Sequence, residues 1–189
     1  MHRKSRAPSD SELVREGCRS YHKALFAVTR FRFEVQEAIR AAIDERIDDL
    51  ATALKLNKTE FSEGLWAYAS PANVGENWDG SDAEIGLRYP RKDWEAKWCL
   101  YFYFWMGDGD DRAESWVGTW FWMKRPGDAM SHLAALEFIG VELDEHHAWL
   151  ELRIDDATHG LTAALHRLLD KLIDIGRKAG GVTQFLQVP

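Results

Sequence analysis

From Ser9 or Asp10, either of which can cap a helix, apolar residues recur at Val14, Cys18, Tyr21, Leu25 and Val28, then at Val35, Ile39, Ala42 or Ile43, Ile47, Leu50 and Leu54. This 3-4 spacing, free of proline as far as Leu56, predicts helix. An unbroken helix over 10–56 would reach ~65 Å at 1.5 Å per residue, long for a chain of this size, so a break near Thr29-Arg30-Phe31-Arg32-Phe33 is expected. An unbroken helix would instead leave a near-heptad stripe that seeks a partner helix, most simply in a second copy of the chain.

Residues 57–80 lose the period, and Ser70-Pro71-Ala72-Asn73 and Gly75-Glu76-Asn77-Trp78-Asp79-Gly80 supply turn chemistry. Ala83 to Tyr89 alternates and meets Pro90, predicting an edge-like strand. Trp98 to Met106 is almost wholly apolar, and Ser115 to Met123 is its hairpin partner through the Asp-Gly-rich Gly107–Arg112. Period two divides these strands into faces: Cys99, Tyr101, Tyr103 and Trp105 on one side of the first, and Trp116, Gly118, Trp120 and Trp122 on one side of the second. A short helix over Ala129–Phe138, a hairpin of Val141–Leu143 with Ala148–Ile154, and a helix from Thr158 or Thr162 to Lys178 complete the pattern. The last helix has a stripe of Leu161, Leu165, Leu168, Leu169, Leu172 and Ile175, with Asp155 and Asp156 before it and Arg177 and Lys178 at its end, as the helix dipole favours.

These elements predict one α+β domain over residues 10–189, behind a basic, disordered tail at 1–9. Its centre is an antiparallel meander sheet of four to five strands rich in Trp, Tyr and Phe. A long N-terminal helix or helical hairpin and a C-terminal helix flank it. The length, 189 residues, suits a single core. Net charge of −7 argues against broad attraction to nucleic acid, though it leaves room for a local basic patch. Cys18 and Cys99 lie among apolar residues, so buried thiols are expected rather than a disulfide or a metal site. No apolar h-region follows Met1–Ser9 and no apolar run is of membrane-spanning length, which makes a cytoplasmic location the expectation and a membrane partner not one.

A meander brings the loop before Ala83 and the loop after Met106 to one edge of the sheet. Asp79, Asp82 and Glu84 would there approach Asp108, Asp110, Asp111 and Glu114, and clustered carboxylates are what Mg²⁺ or Ca²⁺ require. The Asp108 loop lacks the EF-hand spacing, and Asp and Gly are also simply good turn residues. No cofactor is therefore expected, with Mg or Ca at Asp79, Asp82, Asp108, Asp110 and Asp111 as the alternative. Arg88, Arg91, Lys92, Lys97, Lys124 and Arg125 fall at the opposite edge, where an anionic ligand or acidic partner would dock.

Asp82 with Glu95-Ala96-Lys97, after a helix carrying Glu34 and Glu37, is similar to the Asp…Glu-x-Lys signature of the PD-(D/E)xK nucleases. The resemblance implies a metal-dependent phosphodiesterase in which Asp82 and Glu95 hold Mg²⁺ and Lys97 orients the attacking water. In that family the Glu-x-Lys lies within a core strand. Here Glu95 and Lys97 fall in a charged turn, Arg91-Lys92-Asp93-Trp94-Glu95, ahead of one, so the chain is not assigned to it. His146 and His147 point to opposite sides of an extended segment, and His132, His159 and His166 stand alone. Phosphate-loop, dinucleotide and nucleophile-elbow motifs are missing.

The strongest oddity is nine tryptophans, most on or beside the predicted sheet. Tyr101, Tyr103, Trp105, Trp116, Trp120 and Trp122 would form one platform. Either the helices cover it as core, or it binds a ligand or protein. The expected function is a non-enzymatic binding or regulatory protein acting through this face and the N-terminal helix, with a protein partner or a second copy bound. A small ligand between sheet and helices, or the nuclease chemistry, is the alternative.

Overall fold

A computed structural model describes residues 10–71, 83–90, 98–109, 112–123, 141–143, 147–154 and 160–180. The chain forms two units, residues 1–34 and 35–189. Helix α1, Asp10–Leu54, contributes to both.

The break expected near Thr29 is absent. Residues 29–33 contain neither proline nor glycine. Thr29 Oγ1 donates to the Leu25 carbonyl at 2.8 Å and Arg30 Nε to Glu34 Oε1 at 2.7 Å, both bonds running along the helix. A chain-length argument cannot kink a helix when no residue removes an i→i−4 bond. In the first unit every residue from Ser11 to Phe31 is exposed.

In the second unit α1 ends with Lys55 in the left-handed region (φ 53°) and Leu56 N–H on the Ala51 carbonyl at 2.9 Å. Asn57 then caps α2 (Lys58–Gly64) by accepting from Glu60 N–H at 3.1 Å. Six strands follow: β1 (Trp66–Pro71), β2 (Ala83–Tyr89), β3 (Trp98–Gly109), β4 (Arg112–Met123), β5 (Val141–Leu143) and β6 (His147–Ile154). They order as β1-β2-β3-β4-β6-β5 with every pair antiparallel. The α+β class and antiparallel sheet match expectation. Strand β1 lies where only turns were expected, and it makes β2 an inner strand instead of an edge. Pro71 ends the true edge strand, and Pro90 follows β2, so neither proline interrupts a ladder.

One face of the sheet is almost wholly hydrocarbon: Ile85, Leu87, Leu100, Phe102, Phe104, Val117 and Leu150 are buried, with Thr119 the buried polar residue among them. Val35, Ile39, Ile43, Leu50 and Leu54 of α1 join the same core cluster, as do Leu165, Leu168, Leu169 and Leu172 of α3 (Leu161–Ala179). Each such side chain contributes about 1.5–3 kcal/mol on burial. Gly176 lets α3 approach α1, since a Cβ there would fall 2.9 Å from the Ala53 carbonyl oxygen. Arg177–Asp49 (3.2 Å), His166–Glu45 (3.2 Å) and Arg46–Asp170 pair across the two helices. All are substantially exposed and set orientation more than stability. α3 starts after Gly160 without a side-chain cap, not at a threonine, and Gly180 in the left-handed region closes it. The helix expected over Ala129–Phe138 and the tail at 1–9 lie outside the described residues.

Candidate functional site

The opposite face of the sheet carries the polar-tipped aromatics, and β-register sets them in rows. Glu84, Trp105, Trp116 and Arg153 are successive cross-strand partners; so are Tyr68, Gly86, Tyr103, Gly118 and Glu151, and then Trp66, Arg88, Tyr101, Trp120 and Trp149. Among the described residues the helices therefore cover the face of Leu100, Phe102 and Phe104, not the platform. Tyr101, Trp105, Trp116 and Trp120 are half-buried. Trp122 pairs with Cys99 and His147 through its backbone; its side chain lies outside the described residues.

The middle row explains the arrangement. Tyr103 is flanked by two glycines, and a Cβ on Gly118 would fall 2.3 Å from Tyr103 Cζ and 2.5 Å from its oxygen. The ring thus lies where a side chain at 118 would stand, and its hydroxyl reaches over β4 to donate to Glu151 Oε1 on β6 at 2.5 Å. On the other side the Tyr68 hydroxyl donates to Glu84. Tyr68 also meets Tyr101 edge-on (5.4 Å, 87°), and Tyr101 stacks flat on Trp120 (3.8 Å, 10°). Its backbone is tethered to α1, because Gln36 Nε2 donates to the Tyr68 carbonyl at 2.8 Å and Arg40 to that of Leu65 at 2.9 Å.

Burial pushes the Tyr68 hydroxyl far up, the negative charge and hydrogen bond of Glu84 push it further, and donation from Trp120 opposes them only in part. The hydroxyl therefore stays protonated and holds Glu84 as an acceptor. Because the folded-state pKa is raised, the stability linked to this group is complete below the unfolded value of ~10 and drains away as pH rises above it. Tyr68→Phe is expected to be less stable at pH 7 by about 1–3 kcal/mol for the lost buried bonds. The gap should narrow between pH 10 and 12, by up to ~1.4 kcal/mol per pH unit, in urea titrations. A gap constant across that window would refute the assignment.

Glu84, Tyr103, Trp105, Trp120, Trp149 and Glu151 together line a cleft of about 430 Å³, within the range of small-ligand sites. It lies on the aromatic face, whereas the small-ligand pocket was expected between sheet and helices. Five of the six expected platform residues share this face, and three of them line the cleft. Sequence reasoning missed Glu151, Trp149 and Tyr68. Alternation in Ala148–Ile154 does group Trp149 with Glu151, but only the neighbouring of β6 and β4 brings them to Tyr103. Glu84, expected in an acidic corner, instead faces the aromatics.

The carboxylate corner and the nuclease-like set fall largely outside the described residues: Asp79, Asp82, Glu95, Lys97, Asp110 and Asp111 are all so placed, as are Arg91, Lys92, Lys124 and Arg125 of the basic rim. Asp108 is described only as a backbone partner of Ala113. Among the described residues no three His, Cys, Asp or Glu side chains are grouped to hold a metal ion, and no helix is long and apolar enough to cross a membrane. Cys99 is buried as expected, whereas Cys18 is exposed. Comparison of the chain with family models, with curated proteins and with solved structures finds no match in any of the three.

Proposed function

We propose that this is a non-enzymatic binding protein that takes an organic cation, an alkylammonium or guanidinium group, into the aromatic cleft. The observation that carries the reading is the pair of glutamates, Glu84 and Glu151, set among Trp105, Trp120 and Trp149. Indole faces attract cations through the ring quadrupole. Each carboxylate spends one lone pair on a tyrosine hydroxyl and keeps its charge and other lone pairs for a ligand cation, whether a quaternary ammonium or an N–H donor. The unit that holds the cleft is also the acidic one. Residues 1–34 carry eight Lys and Arg against four Asp and Glu, leaving sixteen against twenty-seven for residues 35–189. That field draws cations and repels anions.

The same chemistry is offered by a free amine and by a Lys or Arg side chain of a protein partner. Calorimetry and tryptophan fluorescence with choline against its uncharged carbon isostere, 3,3-dimethyl-1-butanol, test the charge requirement. Agmatine against an Arg-containing peptide separates the two sources. Choline or agmatine is expected to bind at least tenfold more tightly than the neutral isostere. Equal binding of the isostere, or preference for a neutral sugar such as maltose, would remove the basis for a cation site.

A further inference from the structure

We infer that residues 10–34 of α1 pair with the same residues of a second copy, as an antiparallel two-helix contact centred near Lys23. In the first unit Val14, Cys18, Tyr21, Leu25 and Val28 follow one another at steps of four and three, the seam of a coiled coil, and all are exposed. Val14 and Tyr21 are about two-thirds exposed (66% and 65%), an unusual state for apolar residues in a continuous stripe. The same stepping continues through Arg32 to Val35, Ile39 and Ala42, which are buried in the core of the second unit. The seam open to a partner thus ends at Arg32, and the stretch from Val14 to Arg32 has its midpoint at residue 23.

Charge and size choose both the occupant and the direction. A parallel pairing in register would set Arg32 beside Arg32 in the seam. The antiparallel pairing sets Val14 against the aliphatic stem of Arg32, Cys18 against Val28 and Tyr21 against Leu25. It also sets Phe31 across from Gly17 and Ala24 across from Ala24, bulk against space; a side chain at Gly17 would meet nothing within 4 Å of its own chain. Glu16, near the acidic start of the helix, comes level with Arg30 of the second copy. The two helix dipoles oppose favourably as well. A second copy therefore satisfies the stripe in apolar, steric and charged terms at once, independently of what the cleft binds.

Light scattering on the full chain at tens of micromolar is expected to give twice the 21.7 kDa chain mass. Leu25→Asp should return it to the monomer with the near-ultraviolet circular dichroism of the sheet unchanged. Direction is read with cysteines. Oxidised wild type should stay single-chain on a non-reducing gel, because Cys18 faces Val28. Val28→Cys should cross-link into a covalent dimer and lose that ability when Cys18→Ser is added. A monomeric wild type overturns the inference, including one that instead co-sediments with phosphatidylserine vesicles. Ready Cys18–Cys18 cross-linking of the wild type overturns the antiparallel arrangement.

Discussion

Phe102→Ala is expected to lower the stability of the folded sheet by about 3–5 kcal/mol, the range for deleting a buried phenyl ring. Phe102 is 1% exposed on β3, between Leu87 of β2 and Thr119 of β4. Its ring lies 6.4 Å from that of Phe61, the fully buried residue of α2, which in turn meets Tyr89 edge-on at 5.1 Å. Removing the ring leaves α2 without its seat. The backbone beneath cannot sink to fill the void, because β3 is hydrogen-bonded on both sides. Against total stabilities of about 5–15 kcal/mol such a loss leaves the variant marginal. Urea titration should show a large fall in midpoint at unchanged slope. Phe26→Ala is the control: Phe26 is 72% exposed, and its loss should change stability by less than about 0.5 kcal/mol. A Phe102→Ala effect as small as that of Phe26→Ala would mean that the hydrocarbon face is not the core. The same variant should loosen the cleft, since Tyr101 and Tyr103 flank Phe102 on the strand and face the other way.

The hairpin of β3 and β4 was legible because a long apolar run, an Asp-Gly turn and a second aromatic run leave one economical pairing. Its register closes at Gly109 and Arg112, so both strands run into what reads as loop. Which face the helices cover was not legible from hydrophobicity. Trp98 to Met106 is apolar on both sides, so hydrophobicity alone does not choose between them. The discriminating signal is finer. The covered face is Leu, Phe, Ile and Val with the single hydroxyl of Thr119, while the other carries tyrosine hydroxyls, indole N–H groups, two glutamates and the glycines at 86 and 118 that make room for tyrosine. Burying that second face would strand polar tips, so the helices take the first. Strand β1 stayed hidden because Trp66–Pro71 is short, half small residues and ends in proline. The partners of Tyr103 stayed hidden because β6 reaches β4 only by passing β5, an order that local pattern does not encode. The unbroken α1, by contrast, was written in plain view, in the lack of any breaker from Thr29 to Phe33.

Glu84→Gln combined with Glu151→Gln is expected to abolish cation binding, with a loss of at least a hundredfold, while leaving the fold intact. Glutamine keeps the shape and one carbonyl oxygen, so Tyr68 and Tyr103 retain acceptors; what disappears is the charge. A hydrogen bond to a charged group contributes about 1.5–3 kcal/mol, and each 1.4 kcal/mol is tenfold in affinity. The two sites should not be equal. Glu84 is half-buried beside Tyr68, whereas Glu151 is exposed and its pairing is screened by water and salt. Glu84→Gln alone should therefore cost tenfold or more and Glu151→Gln less, with the difference growing as salt is raised. Trp105→Ala, which removes one indole wall, should cost roughly tenfold or less by the usual strength of cation–π contacts. The neutral isostere supplies the internal contrast: its weak affinity should respond to Trp105→Ala but not to either glutamate change. If the doubly neutralised protein held choline or agmatine as well as wild type, the rings alone would be binding the ligand, and the paired carboxylates would be no more than anchors for Tyr68 and Tyr103.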